Sequence, residues 1–342
     1  MLTIGNRTIS LDHAPLVIAE IGVNHDGSVD RAHDLVQSAA RAGADAVKFQ
    51  FFRADLLLAP ESPLAEYQRR AGESSAHAML KRLELDAESL IDLCAHARRL
   101  DLEPIVTVFS AELVAEACSF GVSAWKVASP DLIHGPLIDA LARTERPIIL
   151  STGAAAIDEV ERAHRWLGTR PHALLQCVSA YPAADRSAAL GAIASLRTTF
   201  DLEVGYSDHT LGEETGALAA AAGATILEKH LTWSRGADGP DHAASLEPEM
   251  FARYVTAARR AAAMRGGWRK ELQGVEMEVR RLSRQSIAAS SDLAAGTVLR
   301  RDDLTFRRPG EGMPPWNIDA VIGRTLCAPV AQGTIIRAED LK

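Results

Sequence analysis

From residue 16 to residue 265 the sequence alternates between short, almost continuously apolar segments and longer amphipathic ones. The apolar segments are typical of parallel strands covered on both faces, and eight are present: 16–21, 46–51, 103–109, 124–128, 147–151, 173–178, 203–206 and 225–228. Apolar residues spaced three and four apart predict a helix after each strand: 31–42, 86–100, 111–120, 137–143, 157–167, 189–199, 211–222 and 248–265.

Eight strand–helix pairs over about 250 residues predict an α/β protein with a closed (β/α)8 barrel. An open, doubly wound sheet is the competing architecture. It is disfavoured because no G-x-G-x-x-G motif follows the first predicted strand.

The pattern changes after the last predicted helix. Residues 269–282 are polar and charged and are interpreted as a linker, whereas residues 283–342 contain short β-type runs separated by turns. We therefore predict a barrel domain over 1–268, a linker over 269–282 and a small, mostly β domain over 283–342. The small domain is near the lower size limit for independent folding, so we expect it to dock on another surface.

Composition excludes several classes of protein. The 342 residues are 47% hydrophobic, which is enough for a large core. A net charge of −8 gives no sign of a nucleic-acid-binding surface, and no apolar stretch is long enough to cross a membrane. Four cysteines without C-x-x-C spacing predict buried free thiols in a reducing compartment. Since no signal-peptide pattern is present at residues 1–10, we expect a cytoplasmic protein.

Polar side chains follow or end every predicted strand, and in a (β/α)8 barrel the carboxyl ends of all strands meet at one face. Lys48 and Lys126 lie inside apolar strands, where a lysine is costly unless it meets an anion. Glu20 or Glu228 could be that partner. The two lysines together with Ser129, Ser151 and Ser207 predict instead a pocket for a ligand that carries phosphate and carboxylate groups.

His209 and His230 follow neighbouring predicted strands, so their rings can approach each other. Either histidine alone is most simply explained by a hydrogen bond to a nearby acid. The pair, with Asp241 in the loop that follows, predicts a divalent metal ion with open coordination positions.

Several motifs resemble the sialic acid synthase family in order along nearly the whole chain. They are IAEIGVNHDGS at 18–28, AGADAVKFQ at 42–50, PIILSTG at 147–153, GYSDHT at 205–210 and GPDHAASLEP at 239–248. DDLTFRRPGEG at 302–312 and IGRTL at 322–326 resemble the antifreeze-like (SAF) domain that ends these enzymes.

The resemblance implies condensation of phosphoenolpyruvate (PEP) with an open-chain N-acylamino sugar aldehyde. The products are a nine-carbon 2-keto-3-deoxy acid and phosphate, formed by metal-assisted aldol-like attack, addition of water and C–O cleavage. It also implies Mn²⁺ as the cofactor, with Mg²⁺ or Co²⁺ as alternatives. Finally, it implies a domain-swapped homodimer in which each SAF domain caps the partner's barrel.

Roles for individual residues are carried over from the resemblance by position. PEP would be held by Lys48, Thr107, Lys126, Ser129, Ser151 and Ser207. The metal would be ligated by His209 and His230, and Glu20 and Asp241 would contact sugar hydroxyls or the water on the metal. The sugar would also meet Gln50 and Tyr181, with Asp131 and Ser179 as further substrate-binding residues and Arg308 reaching the N-acyl group from the partner subunit.

The chain departs from the family pattern at several of these positions. Pro130-Asp131 replaces a common Gly-Glu pair, Ser179 replaces an Asn, Val106 and Val108 flank Thr107, and the loop 72–78 has no asparagine. These changes concern the sugar more than the reaction. The same PEP chemistry on a different or phosphorylated acceptor therefore stays open, with Arg235 as the one obvious spare cation.

A non-catalytic binding module is the third hypothesis. It would have lost at least one residue of the set Lys48, Lys126, His209, His230 and Asp241, all of which are present. The tail also lacks the regular threonine array that a flat ice-binding surface would need.

Overall fold

A computed structural model describes residues 2–70 and 72–342 of the chain. Two compact units are present, one ending at Trp268 and the other spanning Arg269–Lys342. The predicted linker 269–282 is grouped with the second unit, so its role as a linker stays a prediction.

The first unit is a closed barrel of eight parallel strands in the order β10-β3-β4-β5-β6-β7-β8-β9. The strands are β3 (Leu16–Gly22), β4 (Ala46–Phe51), β5 (Glu103–Val108), β6 (Ala124–Val127), β7 (Ile148–Ser151), β8 (His172–Cys177), β9 (Val204–Asp208) and β10 (Ile226–His230). Each predicted strand is confirmed with ends shifted by at most two residues, and the predicted fold class is correct.

Alternate residues of each strand point into the barrel. Near the strand starts the inward residues are apolar and form one buried cluster with a hairpin that the sequence did not predict, β1 (Leu2–Ile4) and β2 (Arg7–Ile9). Leu2, Ile4 and Ile9 of the hairpin belong to this cluster, so the hairpin closes the amino-terminal end of the barrel. The polar inward residues are left at the opposite end.

Helices cover the outside of the barrel and bury a second, larger apolar core. They are α1 (Val29–Arg41), α2 (Ala54–Leu57), α3 (Glu66–Arg70), α4 (Ala76–Leu83), α5 (Ala87–Arg99), α6 (Val114–Ala117), α7 (Gly135–Ala142), α8 (Ile157–Leu167), α9 (Ala192–Phe200), α10 (Thr215–Ala221) and α11 (Pro248–Arg265). Helix α1 begins where the Ser28 side chain accepts a hydrogen bond from the Arg31 amide, and it buries Leu35 and Val36.

Two predicted helices differ from the structure. The segment 111–120 is one α-helical turn, α6, between two short 3₁₀ helices, since i→i+3 bonds tighten both of its ends. The helix predicted over 211–222 begins only at Thr215, because Gly212 in its first turn weakens helix formation. Helices α2, α3 and α4 form an excursion after β4 that the strand–helix alternation did not predict.

The second unit contains α12 (Met277–Ser283), α13 (Ile318–Val321) and the antiparallel strands β11 (Ser286–Ala289) and β12 (Leu304–Arg307). Its own small core includes Ile287, Leu299, Val321, Leu326 and Ile336. The mostly β character of this unit is as predicted. Among the described residues, no helix is long and apolar enough to cross a membrane.

Candidate active site

A cavity of about 390 Å³ lies at the carboxyl ends of the barrel strands. Most of the predicted site residues line it: Lys48, Gln50, Thr107, Lys126, Ser129, Ser151, Ser179, Tyr181, Ser207, His209, His230 and Asp241. Residues that are up to 193 positions apart in the sequence, from Lys48 to Asp241, thus come together because parallel strands end at one face.

Two lysines and two glutamates form a buried cluster of charges at this face. The Lys48 ammonium lies 2.8 Å from Oε2 of Glu20 and 3.2 Å from Oε2 of Glu228. The Lys126 ammonium lies 3.3 Å from Oε1 of Glu228, which also accepts a hydrogen bond from Ser207 at 2.9 Å. The glutamate partners considered for Lys48 from the sequence are therefore both present. Each charge is compensated, as burial requires.

Burial and neighbouring charge shift the pKa values of this cluster. Burial lowers the pKa of Lys48 to about 7, and the charge of Lys126 adds to the effect of burial while Glu228 opposes it. Burial also raises the pKa of Glu228, but Lys126 and Lys48 outweigh burial and hold that pKa well below the usual value. Both protonation states of Lys48 are thus populated near neutral pH, and a bound anion would shift this equilibrium toward the ammonium form.

Two buried hydroxyl groups in the cavity are unsatisfied. The Oγ1 atom of Thr107 and the Oγ atom of Ser151 have no hydrogen-bond partner among the described residues. A buried hydroxyl without a partner is costly, so both groups are poised to donate to a ligand. Gly153 keeps this region open, because a Cβ there would lie 2.8 Å from Ser129 Oγ and closer still to Ser179 Oγ.

His209 and His230 lie side by side, with ring centroids 5.6 Å apart. The Nδ1 atom of His209 lies 2.8 Å from the Val178 carbonyl, which makes Nδ1 the protonated nitrogen and leaves the Nε2 lone pair available. The Nδ1 atom of His230 is buried without a hydrogen-bond partner among the described residues, and Asp241 Oδ2 lies 3.6 Å from it. The ring of Tyr181 packs against that of His209, with the ring centroids 4.1 Å apart and the planes tilted by 36°.

The chemistry of the histidine pair suits a divalent metal ion. Burial lowers the pKa of His230 well below its usual value, so its imidazole is neutral and able to ligate. Burial also lowers the pKa of His209, but Cys177 and the Val178 carbonyl more than offset it and raise that pKa. Among the described residues no three His, Cys, Asp or Glu side chains cluster as a metal site. The two imidazoles could supply part of the coordination shell of such an ion, and its remaining ligands would then come from substrate or water.

Three predicted site residues lie elsewhere. Glu20 is buried outside the described lining, where it contacts Lys48 and accepts a hydrogen bond from Gln50 at 3.1 Å. Asp131 is outside the described lining, and burial raises its pKa to about 6. Arg308 lies in the second unit, where it lines a separate cavity of about 1140 Å³.

The sequence interpretation missed several lining residues. Glu228 was considered only as a partner for Lys48, and Cys177 was taken for an ordinary buried thiol. The largest omission is an apolar wall of the cavity, formed by the cluster Val23, Phe52, Met79 and Leu83 with Leu57, Leu80 and Phe109 packed against it. Its helical part, α4, reads in the sequence as an amphipathic helix that packs on the barrel.

Comparison with known proteins decides the family. The model of the NeuB family matches residues 35–270, and that of the SAF domain matches residues 284–342. The chain belongs to the NeuB family. The predicted resemblance is therefore confirmed, and with it the predicted enzyme class, a sialic-acid-type synthase.

Relatives of this NeuB-family chain are named as synthases of legionaminic, pseudaminic or sialic acids. It is 37% identical over 337 residues to N,N'-diacetyllegionaminic acid synthase of Legionella pneumophila, covering 95% of this chain and 94% of that one. It is 27% identical to pseudaminic acid synthase of Helicobacter pylori, covering 96% and 98%. The crystal structure of N-acetylneuraminic acid (sialic acid) synthetase from Leptospira borgpetersenii in complex with citrate superposes with a TM-score of 0.73 at 32% identity, covering 81% and 94%.

Proposed function

We propose that this barrel condenses PEP with an N-acylamino sugar aldehyde to give a nine-carbon 2-keto-3-deoxy acid and phosphate. The observation that carries the proposal is the placement of Lys48 and Lys126, with the unsatisfied Thr107 and Ser151 hydroxyls, in one cavity with the histidine pair. PEP carries a phosphate and a carboxylate, which are the groups that ammonium and hydroxyl donors bind.

In this proposal the two lysines and the hydroxyl groups hold PEP. Lys126 would donate to the phosphate, and the charge it carries would stabilise the leaving group as the C2–O bond breaks. Lys48, Thr107, Ser129 and Ser151 supply the remaining donors, and Ser207 would join them by giving up its hydrogen bond to Glu228. With Glu228 between the two ammonium groups, the lysines stay in place when no anion is bound.

We propose His209 and His230 as ligands of a divalent ion, with Mn²⁺ as the leading candidate. When bound, such an ion supplies Lewis-acid polarisation of the sugar aldehyde, which makes the aldehyde carbon electrophilic. His209 presents Nε2 because Val178 holds its Nδ1 proton, and the Tyr181 ring packs against the His209 ring. Asp241, whose pKa burial raises, lies beside His230 where a sugar hydroxyl can meet it.

The reaction forms a C–C bond and a C2–O bond to water, and it breaks the C2–O bond to phosphate. C3 of PEP attacks the aldehyde carbon, whose oxygen takes up a proton, and water adds to the positive character that develops at C2 and loses a proton. The resulting hydroxyl on C2 loses its own proton as phosphate leaves, which gives the 2-keto group. Gln50, Ser179 and Asp131 are proposed to act on the sugar side, as is Glu20 through its hydrogen bond with Gln50.

For the acceptor we propose a sugar with apolar substituents, such as a 2,4-diacetamido-trideoxy hexose. Leu57, Leu80 and Phe109 are only partly buried and line the same cavity as the lysines, so they can cover methyl groups of deoxy and N-acyl positions. A phosphorylated acceptor would need a further cation. Among the described lining residues only Lys48 and Lys126 are lysine or arginine, and the guanidinium of Arg235 instead donates to the Ala243 carbonyl at 3.4 Å.

The remaining proposals concern assembly and location. We propose a cytoplasmic homodimer in which Arg308 reaches the partner's barrel. Arg308 has no ion-pair partner among the described residues and shares its cavity with Arg280 and Arg284, which supports a role in binding an anionic or polar group. The four cysteines are free, as suits a reducing compartment. The prediction that all four are buried is wrong, because Cys118 and Cys327 are exposed.

The proposal is tested by phosphate release from PEP with Mn²⁺, with and without a chelator. The acceptors are N-acetylmannosamine, its 6-phosphate and the 2,4-diacetamido-trideoxy hexoses. Chelator-sensitive release with a diacetamido sugar is the expected result. Folded protein that does not bind PEP in calorimetry would contradict the synthase assignment, and activity only with the 6-phosphate would contradict the proposed acceptor.

A further inference from the structure

A buried ion pair lies on the outer side of the two strands that carry the histidine pair. The Lys229 ammonium is 3.2 Å from Oδ2 of Asp208, and both side chains are fully buried. The two residues are direct partners in the register of β9 and β10. Because strand residues alternate, Asp208 and Lys229 point away from the cavity while their chain neighbours His209 and His230 line it.

The same lysine also holds the residue on the other side of His209. Its ammonium donates to the Thr210 carbonyl at 2.5 Å. Oδ1 of Asp208 accepts hydrogen bonds from the Thr210 amide at 2.9 Å and from the Thr210 hydroxyl at 2.7 Å. Lys229 therefore fixes the residues before and after His209, and it is itself the residue before His230.

Packed helices prevent a ligand from reaching this network. The Thr210 hydroxyl lies 2.8 Å from that of Thr215 on α10, and the Lys229 ammonium lies 5.8 Å from the ring centroid of Tyr254 on α11. Helices α10 and α11 thus cover the ion pair. A buried ion pair contributes little net stability compared with well-packed apolar residues, because both charges lose their hydration.

We propose that Asp208, Thr210 and Lys229 are positioning residues that set the separation and orientation of His209 and His230 for the divalent ion. The inference rests on the proposed function, which places the ion on these two histidines. The physical basis is that hydrogen bonds on the residues next to a ligand hold its backbone, just as hydrogen bonds to the ligand itself hold its ring.

The test measures binding of Mn²⁺ alone to chelator-treated protein by calorimetry, with circular dichroism as the check on folding. We expect Lys229→Met and Asp208→Asn to raise the Kd for Mn²⁺ by about 10- to 100-fold. The affinity for PEP, measured without metal, should fall less than the affinity for Mn²⁺. Asp45→Asn is the matched control, because Asp45 is also a buried acid in ion pairs, with Arg7 and Arg259, and it immediately precedes β4 at the strand's amino end. It should lower the melting temperature without changing the Kd for Mn²⁺.

A gentler pair of variants keeps the test valid if the charge variants do not fold. Thr210→Val removes the hydroxyl with little change of shape and should weaken Mn²⁺ binding, whereas Thr210→Ser retains the hydroxyl and should restore it. Folded variants with the wild-type Kd for Mn²⁺ would overturn the inference. A wild-type protein that binds PEP but no Mn²⁺ would overturn the metal assignment and this inference with it, and loss of both would overturn the proposed function itself.

Discussion

The ammonium group of Lys48 lies 2.8 Å from the carboxylate of Glu20, and both side chains are buried. With Lys126 and Glu228 they make a cluster of two positive and two negative groups. In the ligand-free site the lysines are therefore already compensated. An incoming PEP anion must compete with carboxylates for them, which makes binding sensitive to protonation.

The first prediction concerns the proton count of PEP binding. Lys48, with a pKa of about 7, is mostly neutral in the free enzyme at about pH 8. A bound anion favours the ammonium form and raises that pKa, so PEP should take up a proton on binding, and its affinity should fall as the pH rises above 7. Calorimetry in two buffers of different ionisation enthalpy measures the proton directly.

Lys48→Arg is the control for this first prediction, because a guanidinium stays charged throughout this range. The variant should bind PEP without proton uptake. Equal proton uptake by the wild type and by Lys48→Arg would assign the titrating group elsewhere.

The second prediction concerns Glu228. Glu228→Gln removes the carboxylate that both lysines contact and leaves the buried Lys126 ammonium without an ion-pair partner among the described residues. We expect the free energy of unfolding to fall by about 3 kcal/mol or more, as for other broken buried pairs. PEP should raise the melting temperature of the variant more than that of the wild type, since it restores negative charge. A variant as stable as the wild type without PEP would contradict the proposed electrostatics.

The third prediction concerns the apolar wall. Leu80→Arg places a charge where we expect methyl groups of the acceptor, so the KM for a diacetamido-trideoxy hexose should rise about tenfold or more, with the KM for PEP little changed. Leu56→Arg is the matched control, because Leu56 is 51% exposed and lies outside the described lining of the cavity. Steady-state kinetics with each substrate varied in turn separates the two effects. Equal rises in the KM for the sugar and the KM for PEP would contradict the proposed contact between the apolar wall and the acceptor.

The fourth prediction concerns the proposed dimer. The homodimers of Arg308→Ala and of His209→Ala should each have low activity, since one lacks the arginine and the other a metal ligand. In a random mixture of the two chains, about a quarter of wild-type activity should return, because half the dimers are mixed and each of these has one intact site. Activity assays before and after dissociation and reassociation measure the recovery. No recovery from a confirmed mixed dimer would mean that Arg308 acts within its own chain or not at all on the substrate.

The sequence predicts those parts of the fold and the site that depend on a local pattern of residues. Continuous apolar runs report burial on both faces, so all eight barrel strands were predicted. Polar side chains at the strand ends then indicated the cavity, including Lys48, Lys126 and the histidine pair. These features are local in the sequence, and the barrel topology converts them into a site.

Features that depend on packing between distant segments were not predictable in the same way. Asp208 and Lys229 looked like two more polar residues near the strand ends, because their outward direction depends on a strand boundary that the sequence left uncertain by two residues. Leu57, Leu80 and Phe109 are each ordinary apolar residues, and only the excursion from α2 to α4 makes them a wall. Asp131 was assigned by position in a motif, which does not report the rotation of a side chain.

The hairpin β1–β2, which packs into the amino end of the barrel, has a kinetic consequence. Because apolar side chains of the strands fill that end of the barrel and the hairpin covers them, we expect substrates and products to enter and leave at the carboxyl ends of the strands. If PEP binds first, next to the two lysines, and the sugar binds second, nearer the opening, then the part that enters last also blocks the release of what lies behind it. Ordered binding of the two substrates and product inhibition by the sugar acid would then follow from the closed amino-terminal end of the barrel, which the six strand residues of the hairpin cover.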